Sequence, residues 1–333
     1  MRQNLDMLEK RTYFVDSGTG WRIALHRYRR RSALRPGADP VVIVPGFAMN
    51  SYILGYHPTG RPLAPYLADR GYEVFCLDLR GQGAAHTTTG HRAFGMSDVA
   101  LTDLDAAVSA IPGLATAGAP RGLTVVGCSL GATYMFMHAA WRPRPEVARL
   151  VNLGGPLRWD TVHPIVSALA RAPAGALSIR GTRTIARAAL PLLAKIPSLL
   201  DLYLNPALCD LSRPESLVNT VDDPVPRINA EIARWVRSRD LVLDGRNLSE
   251  DARGIRLPLL TIIANADGIV PPETVRSGDR LVGTPASGRS VVVAGDGSAR
   301  MAHADLFISE RAESDVFRPL ADWLDQELRA GHV

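Results

Sequence analysis

The stretch Leu123-Thr-Val-Val-Gly-Cys-Ser-Leu-Gly131 decides how the rest of the chain is read. Its first four residues lean apolar and continue into Cys128, as a buried strand would. Ala132–Ala140, just beyond it, is a helix-forming run. Between the two sits Gly127-x-Ser129-x-Gly131. That spacing is common by chance, and it gains meaning from the strand before it and the helix after it. A turn this tight strains the serine backbone. Glycines two places before and two after keep side chains from clashing across it. The hydroxyl is then pushed out at the top of a sheet, at the positive end of a helix. The plainer alternative is a glycine-rich turn holding a buried serine.

Working outward, strand and helix patterns alternate. Upstream, Trp21–Tyr28 reads as an early strand followed by an arginine-rich turn, Arg29–Arg31. Pro40–Val44 and Tyr72–Leu79 read as strands, Pro62–Arg70 and Asp98–Ile111 as helices. Downstream come the helix Leu130–Trp141 and the strand Ala148–Leu153. After a break there follow the strands Leu257–Ala264 and Arg289–Ala294 and the helices Pro272–Val282 and Ala312–Arg329. This alternation predicts an α/β fold, a mostly parallel, doubly wound sheet covered on both faces. From Arg158 to Gly254 the periodicity is helical, prolines are many and no buried strand is convincing. The expected organisation is a core split into residues 1–157 and 255–333, with a helical cap at 158–254. Such a cap would sit over the carboxyl edge of the sheet, where α/β sites lie.

Composition narrows the function classes. The chain has 333 residues, 46% of them hydrophobic and 21% charged, an ordinary globular balance that argues against disorder. The net charge of +5 invites a nucleic-acid reading. However, Lys10 and Lys195 are the only lysines, and the arginine excess fits a GC-rich coding sequence better than phosphate binding. No zinc-finger spacing or basic-aromatic sheet motif appears, so no nucleic-acid partner is expected. Cys76, Cys128 and Cys209 are odd in number and far apart. They suggest neither a disulfide framework nor a metal site, and suit a reducing compartment. No apolar run is long enough to span a bilayer, and the N-terminus lacks a signal-peptide core. The expected location is cytoplasmic. No cofactor and no metal is expected.

An elbow serine needs a base, and the base an orienting acid, in the chain order Ser, Asp or Glu, His. Asp267 lies just past the strand Leu259–Ala264, in Asn265-Ala-Asp-Gly-Ile-Val-Pro-Pro272. The exit of the preceding strand, Gly154-Gly155-Pro156, offers no carboxylate. His303, in Met301-Ala-His-Ala-Asp-Leu-Phe307, follows the last strand. The other histidines fit less well. His26 is in an early strand, His138 in the helix after the serine, His163 in the cap and His332 at the terminus. His57, His86 and His91 precede the serine. Asp296 and Asp305, which flank His303, are the alternative acids. An oxyanion would need two backbone donors. The candidates are the N–H of Leu130, next after the serine, and that of Phe47 in the turn Pro45-Gly-Phe-Ala-Met49.

Taken together, the Pro-Gly-Phe turn, Asp78-Leu-Arg-Gly-Gln-Gly83, the Ser129 elbow, Asp267-x-x-Val-Pro271 and His303 resemble the α/β-hydrolase superfamily. The likeness runs over nearly the whole chain. Val44-Pro-Gly-Phe-Ala-Met-Asn-Ser-Tyr-Ile-Leu54, with His57-Pro58, is also similar to lipase-like proteins and polyhydroxyalkanoate synthases. Pro45-Gly46 stands where His-Gly is commoner. The synthases carry a cysteine as nucleophile, whereas here Ser129 holds the elbow and Cys128 falls one residue early. The resemblance implies ester hydrolysis through an acyl-enzyme, with Ser129 as nucleophile, His303 as base, Asp267 as its acid, and Phe47 and Leu130 as oxyanion donors. An acyltransferase or polyester-related enzyme would share the first half-reaction, and a non-catalytic binding protein on the same scaffold is the third reading.

The cap carries further expectations. Between Arg158 and Lys195 lie the basic residues Arg158, Arg171, Arg180, Arg183, Arg187 and Lys195 against one acid, Asp160. Leu177, Ile179, Leu190, Leu192 and Leu193 are among its apolar residues. Two readings stand: a solvated arginine face on a packed helix, or a lid resting on a lipid surface. Trp235, Leu202 and Leu204 are candidates for an apolar acyl pocket, so the expected partner is a small apolar ester.

Overall fold

The computed structural model of the chain describes residues 7–116, 122–172, 181–193 and 200–330. Arg180, Lys195, Leu177, Ile179 and His332, and the side chains of Leu190, Leu192 and Leu193, lie outside the described residues. The main sheet contains β1 (Leu8–Asp16), β2 (Trp21–Arg30), β3 (Val41–Val44), β4 (Val74–Asp78), β6 (Leu123–Cys128), β7 (Val147–Leu153), β10 (Leu259–Ala264) and β11 (Arg289–Ala294). Their spatial order is β1-β2-β4-β3-β6-β7-β10-β11, and the two-residue β5 (His86–Thr87) pairs with β2. Every pair from β4 to β11 is parallel, and the pairs that β2 makes with β1, β4 and β5 are antiparallel. This is a mostly parallel α/β sheet, as the alternation predicts.

The side chains of each strand alternate between two cores. Val42 and Val44 of β3, and Leu123 and Val125 of β6, face the core that also holds α2 (Leu104–Leu114), α3 (Leu130–Trp141) and α7 (Pro272–Leu281). Val41, Ile43, Val126 and Cys128 face the opposite core, with α1 (Leu63–Asp69) and α8 (Arg318–Ala330). Burial on both faces explains why these strands read as continuous apolar runs.

The N-terminal edge departs from expectation. β2 continues through Arg29 to Arg30, where a turn was expected, and β1 pairs along its whole length. Arg27 and Arg29 are buried there, and Glu9 of β1 and Glu73 neutralise them. β1 itself is an edge strand with charges among its half-buried residues, so its sequence lacks a strong apolar period. The helix expected at Asp98–Ile111 is also longer. It begins with the turn Met96–Asp98, passes through a π-helical stretch at Val99–Asp103 and runs to Leu114, with Pro112 inside its last turn.

Between the two parts of the sheet lie α4 (Pro164–Leu169), α5 (Thr182–Leu193) and α6 (Pro226–Ser238), with shorter helical turns at Pro214–Leu217, Val218–Thr220 and Leu248–Asp251. A hairpin of β8 (Val242–Leu243) and β9 (Arg246–Asn247), not expected from the sequence, closes this stretch. Of the arginines between Arg158 and Lys195, two of those described are paired with acids, and Arg183 and Arg187 are exposed. Arg158 pairs with Asp160 and Asp240, and Arg183 with Asp222. No described helix is long and apolar enough to cross a membrane.

Close packing makes particular glycines obligatory. A Cβ on Gly131 would lie 2.2 Å from the Val44 carbonyl oxygen, and one on Gly127 2.3 Å from Ala132 Cα. Gly113, in the last turn of α2, has nothing within 4 Å. Gly131→Ala should therefore cost at least ~2 kcal/mol of stability through overpacking. Gly113→Ala should change stability by less than about 1 kcal/mol, on the stabilising side. Urea unfolding of the two variants beside the wild type checks both, and equal midpoints for the two would contradict the packing argument.

Candidate active site

The site forms where β6 turns into α3. Ser129 has φ 53° and ψ −123°, a conformation an L-residue rarely adopts. Such a backbone costs about 1–3 kcal/mol and persists only where its surroundings fix it. Here Ser129 N–H donates to Leu153 O at 2.9 Å, and Ala132 N–H to Ser129 O at 2.9 Å. Gly155 lies so close that a Cβ there would meet Ser129 O at 2.2 Å. Beneath the turn, Cys128 is fully buried, and burial pushes its thiol pKa far up, away from the thiolate form.

Ser129 Oγ lies 2.8 Å from His303 Nε2, and His303 Nδ1 lies 2.6 Å from Asp267 Oδ2. Asp267 Oδ1 accepts the backbone N–H groups of Ile269 and Val270 at 2.9 and 2.8 Å. The carboxylate is therefore fixed on both oxygens, and all three side chains are buried. The neighbouring acids are occupied elsewhere. Asp296 bonds Ser298 and Arg311, and Asp305 accepts from Ala302, Asn205 and Cys209. Of the other histidines, His26 reaches Asp78, His57 the Ser309 carbonyl, His138 Asp105, and His163 the N-terminus of α4.

The turn Pro45–Asn50 stands against the elbow. A Cβ on Gly46 would lie 2.9 Å from Ser129 Cβ, so only glycine allows this approach. Ala48 in the same turn has φ 49°, a second strained residue. Gln82 Nε2 donates to Gly46 O at 3.1 Å. Asp78 holds the flanking backbone, accepting from Ser51 N–H at 2.7 Å and Ala84 N–H at 2.9 Å. Burial alone would raise the Asp78 pKa, but the bonds from His26, Ala84 and Ser51 bring it below its ordinary value.

Ser129, His303, Phe47 and Leu130 open on one cavity of about 430 Å³. Its other walls are Val166, Leu169 and Ala170 of the α4 segment, Ile232, Trp235 and Val236 of α6, and Trp159. Trp159 and Trp235 meet edge to face, with ring centroids 5.7 Å apart. Trp235 lines the cavity as expected, whereas Leu202 and Leu204 do not. Leu204 is buried in the core and Leu202 packs over Gly268. Between them Tyr203 turns into the cavity, its ring centroid 6.3 Å from that of His303, and burial pushes its pKa up to about 12. The backbone of this segment clasps both site loops. Gly268 N–H donates to Leu202 O, and Ala304 N–H to Tyr203 O. Sequence reading passed over Tyr203 and Trp159, and placed Gln82 and Asn50 in motifs without a role, since no local pattern marks a residue whose role is set by a distant loop. Among the described residues no group of three or more His, Cys, Asp or Glu side chains could hold a metal ion.

A family model described as alpha/beta hydrolase fold matches residues 39–298. No curated protein matches the chain in sequence. Among solved structures, an esterase from Exiguobacterium antarcticum is similar with a TM-score of 0.63 and 14% identity, over 95% of this chain and 100% of that one. A thermophilic esterase from Thermogutta terrifontis is similar with a TM-score of 0.59 and 18% identity, over 96% and 98%. A bromoperoxidase from Bacillus anthracis gives 0.61 and 13%, over 95% and 100%. At these identities the likeness is one of fold, and a fold shared by differently named enzymes leaves the chemistry to the site.

The buried Cys128 gives a direct check of the elbow. Iodoacetamide should leave Cys128 unmodified in the native protein and modify it in urea, as read by peptide mass spectrometry. Rapid native labelling would make Cys128, one residue early, a competing nucleophile.

Proposed function

We propose that this chain, which belongs to the alpha/beta hydrolase fold family, is a serine hydrolase that cleaves carboxylic esters with apolar acyl chains. One observation carries the reading: a hydrogen-bonded Ser129–His303–Asp267 relay that opens onto an apolar cavity of about 430 Å³. Ser129 Oγ attacks the ester carbonyl as His303 Nε2 takes its proton. Asp267 holds the Nδ1–H tautomer and stabilises the imidazolium that forms. The tetrahedral oxyanion lies between the N–H groups of Leu130 and Phe47. Leu130 N–H is the first of α3, where helical N–H groups have no intrahelical partner. His303 then protonates the departing alkoxide, leaving an acyl group on Ser129. A water activated by the same imidazole releases the acid.

In this reading residues 158–254 are a cap between the core halves 1–157 and 255–333. α4 and α6 supply the apolar wall along which the acyl chain lies. Transfer of the acyl group to an alcohol instead of water would use the same machinery, and product analysis with added alcohols separates the two outcomes.

Loss of the hydroxyl in Ser129→Ala should abolish p-nitrophenyl ester turnover with little change in melting temperature. Asp267→Asn should lower kcat by up to ~10⁴-fold, since the imidazole loses its orienting acceptor and charge partner. An Asp267→Asn enzyme with near-normal kcat would move the acid elsewhere. The cavity predicts a chain-length preference. At about 0.8 kcal/mol per buried methylene, the four added from acetate to hexanoate should raise kcat/KM at least ~10-fold even if half buried. A flat or falling series would remove the apolar-acyl claim.

A further inference from the structure

We infer that Asp222 is a positioning residue: one carboxylate oxygen and the backbone N–H of Asp222 hold the turn that presents Phe47 to Ser129, while its other oxygen ties that turn to helix α5. The inference rests on the ester-hydrolysis reading above and extends it to a residue far from the Ser–His–Asp relay.

The turn Pro45–Asn50 carries the second oxyanion donor on a strained backbone, with Ala48 at φ 49°. A donor helps an oxyanion only if it is held in place before the reaction, so something must fix this turn. Gln82 does so at Gly46. The far side of the turn is held by residues 219–222. Asp222 N–H donates to Ala48 O at 2.9 Å, and so engages the strained residue itself. Met49 and Val221 form an antiparallel bridge, and Asn50 N–H donates to Thr220 O at 3.2 Å. The Asp222 side chain completes the clasp. Its Oδ2 accepts from Asn50 Nδ2 at 3.1 Å and from Gly83 N–H at 2.8 Å. One atom thus joins the end of the turn to the Gly81–Gly83 loop, where Gln82 also sits.

The remaining oxygen, Oδ1, accepts from Arg183 at 3.0 Å. Next to it Asp223 accepts the N–H groups of Gly181 and Thr182 at 3.1 and 2.7 Å, at the N-terminus of α5. The two consecutive acids therefore divide the work. Asp223 and the Arg183 contact secure α5, and Oδ2 of Asp222 faces the turn. The sequence gives no sign of this, because Asn50 and Asp222 are 172 residues apart.

The wild type is first assayed on p-nitrophenyl hexanoate. If it does not turn over, the ester-hydrolase reading itself fails. With an active wild type, Asp222→Ala should lower kcat about tenfold or more with KM within about threefold, since the loss falls on the transition state. Binding of phenylboronic acid, whose serine adduct is tetrahedral, should weaken in parallel. Asp222→Asn, which keeps an oxygen for Gly83 and Asn50, should restore both to within about threefold. Arg183→Ala frees Oδ1 of Asp222 and the Val221 carbonyl that its Nε engages at 3.1 Å, but leaves Oδ2, the Asp222 N–H and the Met49–Val221 bridge on the turn, so kcat should stay within about twofold. If Asp222→Ala does not fold, Asn50→Ser supplies the same reading. It keeps a short cap for Tyr52 but removes the Nδ2 that donates to Asp222 Oδ2 and to the Asn219 carbonyl, and should show the same kcat loss at steady KM. Normal kcat in Asp222→Ala, or in Asn50→Ser if Asp222→Ala does not fold, would overturn the inference. So would a kcat loss without weaker boronate binding, an Asp222→Asn variant as impaired as Asp222→Ala, or an Arg183→Ala variant that falls as far as Asp222→Ala.

Discussion

The site depends on one backbone conformation, that of Ser129 between β6 and α3. Nothing in an L-serine favours φ 53° with ψ −123°. It is imposed by crowding from four sides. Gly127 and Gly131 let the strand and helix close on each other, Gly155 admits the serine carbonyl, and Gly46 admits its Cβ. A methyl group at any of these would have to displace the elbow or its neighbours. The strain is local and the compensation is not: the hydrogen bond to Leu153 ties the turn to β7, and β6 is paired along its length with β3 and β7.

The parallel sheet then places the other groups. β10 ends at the loop that carries Asp267, and β11 leads to the loop that carries His303. The two loops meet over the end of β7, where Gly154 leaves space beside both side chains. Residues from the stretch between the sheet halves secure the arrangement from above. Leu202 and Tyr203 offer carbonyls to the Asp267 and His303 loops, and residues 219–222 grip the turn that contains Phe47. The segment that walls the cavity is thus also fastened to the polar side of the site. A substitution there can act on kcat as well as on substrate fit.

Much of this was legible in the sequence, for identifiable reasons. The elbow is a local constraint with fixed glycine spacing, and strands buried on both faces leave continuous apolar runs. Asp267 and His303 could be named because each follows a readable strand. β1 was not legible, because an edge strand with Glu9, Lys10 and Arg11 has little apolar period. The arginines of β2 suggested a turn, since a sequence cannot show that Glu9 and Glu73 lie opposite them. Tyr203 was passed over in favour of Leu202 and Leu204, because in irregular backbone no period tells which of three neighbours faces the cavity. Asp222 was invisible for the most general reason: its role exists only through contacts with Ala48, Asn50 and Gly83, far away in the chain.

The proposed chemistry requires Ser129 to be a nucleophile activated by His303. Its most direct test is reaction of the folded protein with a fluorophosphonate, followed by peptide mass spectrometry to locate the adduct. An activated serine oxygen attacks the phosphorus and displaces fluoride as the histidine takes its proton, so the adduct reports on the relay without assuming any substrate. A single adduct on Ser129 is expected, with slow or absent labelling in a folded His303→Ala variant. No adduct in the folded wild type, an adduct on another residue, or unchanged labelling without His303 would contradict it.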